Sequence, residues 1–246
     1  CPAVGLAWGL VKEGALGTLH HVRGHYLQSW GGKDTPLLWR FQKSQAGSGA
    51  HGDLNAHIID LVRFISGKEI TTVHGAVSKT FITRRRIPGT RRTGRSTVDD
   101  ALLFLATLSG GAVASFECSR VATGHLNDNT VELNGDKGSV RFSLEDMNAL
   151  WYFDATLPKG TQGWRRIDCT VAGEHPYVAN WWPAAHSLGY EHGFVNMAAD
   201  ILKVLGRRRP ELPIPDFADA YETQRVLEAA MISARERCAV PLGEVR

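Results

Sequence analysis

From Ile70 onward the apolar period of the chain changes from helical to about two. Short apolar runs separated by glycine-containing turns then continue almost to residue 169, and alternation at that period marks strands. The runs over 73–82, 98–108, 112–121, 130–133, 139–144, 149–153 and 164–169 read as strands. Ser109-Gly110-Gly111 joins the second run to the third, and the turn at 134–138 joins the fourth to the fifth. Connections of this kind between alternating runs signal hairpins. Helical patterns flank the block. Residues 2–13 carry Val4, Leu6, Ala7, Leu10 and Val11 on one stripe, with Pro2 in the first turn. Residues 187–205 place Phe194, Met197, Ala198, Ile201 and Leu202 on one face. Residues 216–238 open on Asp216, a good N-cap. A histidine-rich strand is expected over 18–28. Helices, then mainly antiparallel strands, then helices predict an α+β fold: an open, mostly antiparallel β-sheet with helices on one face. No repeat or linker divides the 246 residues, which read as a single domain, 1–246.

The stretch 47–65, GSGAHGDLNAHIIDLVRFI, carries the chemistry. At about 100° per residue, Leu54, Ile58, Leu61, Val62 and Ile65 share a core-facing side. Asp53, His57 and Asp60 form a second ridge, neighbours by i+4 and i+3 spacing. A carboxylate one turn before a histidine orients the ring and favours its protonated form. Such a pair can take a proton from a substrate hydroxyl or return it. The same spacing is also met in surface ion pairs, and the three side chains could hold a divalent metal. Asp60 reads as a structural partner of His57 or Arg63. Gly47, Gly49 and Gly52 spell G-x-G-x-x-G, the dinucleotide fingerprint, which requires a buried strand just before it. The preceding WRFQKSQA is polar, so the glycines read instead as a flexible entry that lets backbone approach a ligand.

The remaining composition narrows the class. Hydrophobic content of 43% and charged content of 22% suit a globular protein. A net charge of +3 is too small to argue for a nucleic-acid partner. Its excess lies at Arg84, Arg85, Arg86, Arg91, Arg92 and Arg95, expected to form a solvated loop. Cys1, Cys118, Cys169 and Cys238 lack zinc spacing and read as free thiols of a reducing compartment. No apolar run reaches membrane-span length and no signal-like segment stands out, which predicts a cytoplasmic protein with no membrane partner. The chain opens directly inside a helix, as the remainder of something longer would.

Several segments, in order, carry a resemblance: ALGTLHHVRGHYLQSW, WR…AGSGAHGDLNAHIIDLVRFISG, VDDALLFLATLSGGAVASFECSRVATG, VELNGDKGSVRF and DFADAYETQRVLEAAMISA. Together they resemble the glucose–fructose oxidoreductase / inositol dehydrogenase / MocA family over essentially the whole chain. The resemblance implies a two-domain dehydrogenase whose N-terminal Rossmann domain binds NAD or NADP. Its C-terminal α+β domain supplies the open sheet, most of the substrate pocket and the oligomer interface. This chain looks like that second domain, with residues 1–16 as the helix leading in. The family's Glu-Lys-Pro motif has no counterpart here, so the chain alone is expected to be inactive.

By the same resemblance Asp53 and His57 take the catalytic positions. His57 would remove a hydroxyl proton as hydride leaves for the nicotinamide, and Asp53 would orient His57. The resemblance implies a small-molecule sugar or polyol substrate and a homo-oligomer, dimer or tetramer, formed through the sheet face. The apolar character of both sides of ALLFLATL (101–108) points the same way. The stretch 175–192 gathers Tyr177, Trp181, Trp182, His186, Tyr190 and His192 around a proline, which suits the CH face and hydroxyls of a sugar or covers the sheet edge. It resembles a subset of the family acting on sugars and anhydrosugars. Gln28, Trp39 and His186 are the substrate-contact candidates. Two other classes stay open: a non-catalytic sugar-binding or oligomerisation module, and a metal-dependent hydrolase or isomerase using Asp53, His57 and Asp60.

Overall fold

The computed structural model describes residues 1–245. In chain order its elements are α1 (Pro2–Lys12), β1 (Leu19–Leu27), a single helical turn α2 (Lys43–Ala46) and a π-helical turn (His51–Asn55) that runs into α3 (Ala56–Ser66). Then come β2 (Ile70–Lys79), the short strands β3 (Arg84–Arg86) and β4 (Thr93–Arg95), β5 (Ala101–Leu108), β6 (Val113–Ser119), β7 (Asp128–Gly135), β8 (Gly138–Ser143), β9 (Ala149–Asp154) and β10 (Trp164–Asp168). The chain closes with α4 (Tyr190–Leu205), α5 (Phe217–Glu236) and β11 (Val240–Pro241).

Nine strands form one sheet in the order β10-β9-β8-β7-β1-β6-β5-β2-β11. Strand β1 enters between the β5–β6 and β7–β8 hairpins. It pairs parallel with β6 and antiparallel with β7, and the other pairings are antiparallel. Helices α1, α3 and α5 contact one face of the sheet. The alternation in β5 sends Leu102, Phe104 and Ala106 inward, and Phe104 stacks on Phe116 at 4.7 Å between ring centroids. Leu54, Ile58, Val62 and Ile65 are buried as their spacing predicts, while Ile59 is buried and Leu61 only half so. Burying each such side chain contributes about 1.5–3 kcal/mol. Helix α3 lies close on β1: a Cβ at Gly24 would come within 2.7 Å of Ile58. The helix ends on Gly67 in the left-handed region (φ 61°). Asp216 caps α5, accepting from the Asp219 amide at 2.9 Å.

Two sequence patterns mislead, for physical reasons. The arginine segment is not simply a solvated loop but the hairpin β3–β4. Arg85 is buried at the base of that hairpin and pairs with fully buried Asp100 at 3.0 Å. Its two terminal nitrogens also donate to the carbonyls of Gly31 and Gly32, so the buried charge is paired and bonded at both of them. Helix α4 is inverted relative to its pattern. Phe194, Met197, Ile201, Leu202 and Leu205 are exposed, whereas Asn196 and Asp200 are buried. These two polar residues clip the preceding loop to the helix: Trp181 donates to Asn196 Oδ1 at 2.9 Å and Tyr177 donates to Asp200 Oδ2 at 2.7 Å. Cys1, Cys118, Cys169 and Cys238 are free thiols. Among the described residues no helix is long and apolar enough to cross a membrane.

Candidate active site

The glycine turn is built by packing. Asp99, just before β5, accepts from the amides of Gly49 at 2.8 Å and His51 at 2.7 Å. The amides that a dinucleotide fingerprint would offer to phosphate are therefore already bonded. The element before the glycines is α2, not a strand. His51 is structural as well. Its Nε2 donates to the Leu227 carbonyl and its Nδ1 accepts from Asn55 Nδ2, each at 2.9 Å. Burial pulls its pKa down, which keeps the ring neutral.

Asp53 lies in the π-helical turn and His57 in the first turn of α3. A π-turn inserted in a helix is often found at functional sites. The two side chains open on different hollows. Asp53 faces a cavity of about 290 Å³ lined by Trp39, Arg40, Ser48, Arg120 and Gln224. Its carboxylate sits 3.3 Å from Arg120 Nη2 and 3.7 Å from Arg40 Nη1. His57 is exposed beside a cavity of about 330 Å³ with Cys1, Asp60, Asn129, Tyr190 and Phe194. The edge of its ring meets Tyr26 at 5.9 Å between centroids. Among the described residues the His57 ring makes no hydrogen bond. The expected Asp53–His57 contact is replaced by ion pairs, since each guanidinium offers the carboxylate a permanently charged donor.

Asp60 pairs with neither expected partner. Arg63 is taken by Glu69 at 2.7 Å and Asp219 at 2.9 Å. Burial, then the nearby Asp219 charge, push the Asp60 pKa up. Asp53 and the His57–Asp60 ridge thus diverge, which disfavours the shared metal-ligand reading. Among the described residues no group of three or more His, Cys, Asp or Glu is placed to hold a metal.

The substrate-contact candidates scatter. Trp39 is 51% exposed, lines the Asp53 cavity and lies against the Arg40 guanidinium at 4.6 Å. Gln28 is committed within the protein: it donates to Asn127 Oδ1 at 2.9 Å and accepts from Trp30 Nε1 at 2.6 Å. His186 is exposed and its Nδ1 faces the carbonyls of Pro183 and Ala184 at 3.0 and 3.2 Å. Of the aromatic stretch it is Tyr190 that reaches the His57 cavity. Sequence reasoning missed Arg120 and Asn129. Each sits at the end of a strand near the N-terminal half of α3, but the pairing that brings them there is invisible without the sheet order.

Residues 6–141 match the GFO/IDH/MocA C-terminal domain. The chain belongs to the GFO/IDH/MocA family. It is 35% identical over 258 aligned positions to levoglucosan dehydrogenase of Pseudarthrobacter phenanthrenivorans, covering 99% of this chain and 65% of that protein. Its fold superposes on an oxidoreductase domain protein from Kribbella flavida with a TM-score of 0.91 at 46% identity, covering 98% of this chain and 63% of that one. Levoglucosan dehydrogenase in complex with NADH and levoglucosan gives a TM-score of 0.89 at 35% identity, again over 98% of this chain and 63% of the other. The chain thus spans just under two thirds of the length of these relatives.

Proposed function

We propose that this chain is the substrate-holding and proton-transferring part of an NAD(H)-dependent sugar dehydrogenase, acting on a sugar of the levoglucosan kind. The observation that carries the reading is His57: an exposed imidazole without an internal hydrogen bond, at a cavity large enough for a monosaccharide. Its family position and the relative's complexes with NADH, levoglucosan and L-sorbose support it. In the oxidation direction His57 takes the hydroxyl proton while the carbonyl forms at that carbon. When bound, the nicotinamide supplies the hydride acceptor. The apolar wall of Phe142, Leu144 and Phe194 suits the CH face of a sugar, and Asn129 and Asp60 offer polar contacts to its hydroxyls.

The glycine turn here does not fit a dinucleotide, so the cofactor is held mainly by residues outside 1–246, and the chain alone is inactive. The whole enzyme is a homo-oligomer joined through the open sheet face. Assays of the full-length protein test the activity. NADH should form with NAD and levoglucosan, and more slowly with unrelated polyols. No NAD(P)-dependent turnover with any sugar, beside calorimetric sugar binding, would leave only a binding module.

A further inference from the structure

Arg120 follows directly on β6 and is 1% exposed. Its guanidinium donates to Asp53 Oδ2 at 3.3 Å and to the Arg40 carbonyl at 3.1 Å. It also lies near the rings of Trp30 and Phe41, at 5.3 and 5.4 Å. A guanidinium held by two rings and a carbonyl is a rigid anchor, and the carboxylate it holds is the family's acid beside His57. We infer that Arg120 is the positioning residue of the catalytic pair: it turns Asp53 away from His57 and balances its charge, which leaves the His57 imidazole free of a carboxylate partner and open to substrate. The inference rests on the functional reading above.

The chemistry requires something of this kind. A general base must be unprotonated when the substrate arrives. A free carboxylate one helical turn away would favour the imidazolium instead. The groups facing His57 are Asp60 on its own helix, Tyr26 on β1, Tyr190 on α4 and Cys1, with its α-amino group, ahead of α1, while Asp53 one turn earlier opens on the other hollow. None is a basic side chain. The side-chain cations near the pair act through Asp53: Arg120 from the sheet and Arg40, at 3.7 Å, from the turn before α2. Arg40 is 44% exposed at its side chain, so its pairing is the weaker of the two.

The test follows the His57 ring by NMR across pH in the 246-residue chain. In Arg120→Met the ring should gain its proton at higher pH, by about half a unit or more. Arg120→Lys should lie closer to wild type, and Arg40→Ala should move the same way by less. In the double variant Asp53→Asn/Arg120→Met the upward shift should vanish, because the effect passes through Asp53. A folded Arg120→Met whose His57 titrates as in wild type overturns the inference, and so does a shift that persists without the Asp53 charge. Should Arg120→Met not fold, an unmoved titration in Arg40→Ala overturns it. In the full-length enzyme the acid limb of kcat/KM should move with the ring; a purely structural arginine would lower activity without moving that limb. An enzyme that turns over no sugar defeats the functional reading, while the titration still judges Arg120.

Discussion

A Cβ on Gly49 would fall 1.9 Å from the carbonyl oxygen of Asp99. The same Asp99 binds the Gly49 and His51 amides with its carboxylate, so strand β5 and the entry to α3 are fused at this point. The glycine is there for backbone contact, and the loop's resemblance to a phosphate cradle follows from that packing.

The first prediction tests this directly. Gly49→Ala should destabilise the chain by roughly 1–3 kcal/mol, the range for forcing extra volume into a packed site. Urea unfolding of the 246-residue chain measures it. A loss within error of zero would mean that the turn yields, and that the close approach is not a constraint.

His57 carries the second prediction. In the full-length enzyme, His57→Ala should lower turnover by about 10²–10⁴-fold, the usual cost of a missing general base. NAD binding should be nearly unchanged, since no residue of this turn offers free amides to phosphate. Near-normal turnover at neutral pH would remove His57 from the chemistry.

Why the chain was legible in some places and not in others follows from where each constraint lies. The strands and α3 declare themselves because their apolar period is local: Ile58, Val62 and Ile65 repeat on one face and are buried on it. Asp53 and His57 stand out by a local spacing plus a family likeness. Their electrostatic partners do not, because Arg120 lies 67 positions away and reaches Asp53 only after β6 has paired beside β1. Arg85 shows the same limit from the other side. Three consecutive arginines look alike in sequence, and only the β3–β4 register decides that the middle one meets Asp100. Helix α4 misleads for a different reason. Its apolar period is real, but the 175–189 loop supplies Tyr177 and Trp181 as donors for Asp200 and Asn196, so its polar side turns inward.

The third prediction concerns acid stability. Asp128, at the start of β7, accepts from the Thr130 hydroxyl at 2.7 Å and lies between His25 and His125 at 3.2 and 2.9 Å. Burial acts against its charged form, but the Thr130 bond and the histidines win, and its pKa falls below the ordinary carboxylate value. A group more acidic when folded contributes stability that is complete above the unfolded pKa and fades as pH drops through the folded one. Wild-type stability should therefore decline between about pH 5 and pH 3, and Asp128→Asn should flatten that decline. Equal slopes in denaturant titrations of the two proteins would show that the cluster contributes nothing at this pH.

The last prediction concerns assembly. One row of outward residues crosses the open face from Leu105 past Arg23 and Glu132 to Trp151. Arg23 and Glu132 pair at 2.8 Å in its middle. Leu105 is 60% exposed, with Leu103, Val77 and Val113 beside it, and Trp151 and Trp164 are exposed at the far edge. A face with apolar ends and a central Arg23–Glu132 ion pair, with Arg141 beside it, can meet its own copy turned by two-fold symmetry, which is the isologous solution for a patch of this kind. Leu105→Glu changes an outward side chain and leaves the core untouched, so it should fold normally and convert the assembly to monomer. The exposed stripe of α4 is the competing surface, and Leu202→Glu probes it with the same chemistry. Light scattering at micromolar concentration separates the two. The expected pattern is an oligomer in wild type and Leu202→Glu, and a monomer in Leu105→Glu. An oligomer that survives Leu105→Glu but dissociates with Leu202→Glu would move the interface to α4, and a monomeric wild type would show that the sheet face does not join copies of this chain.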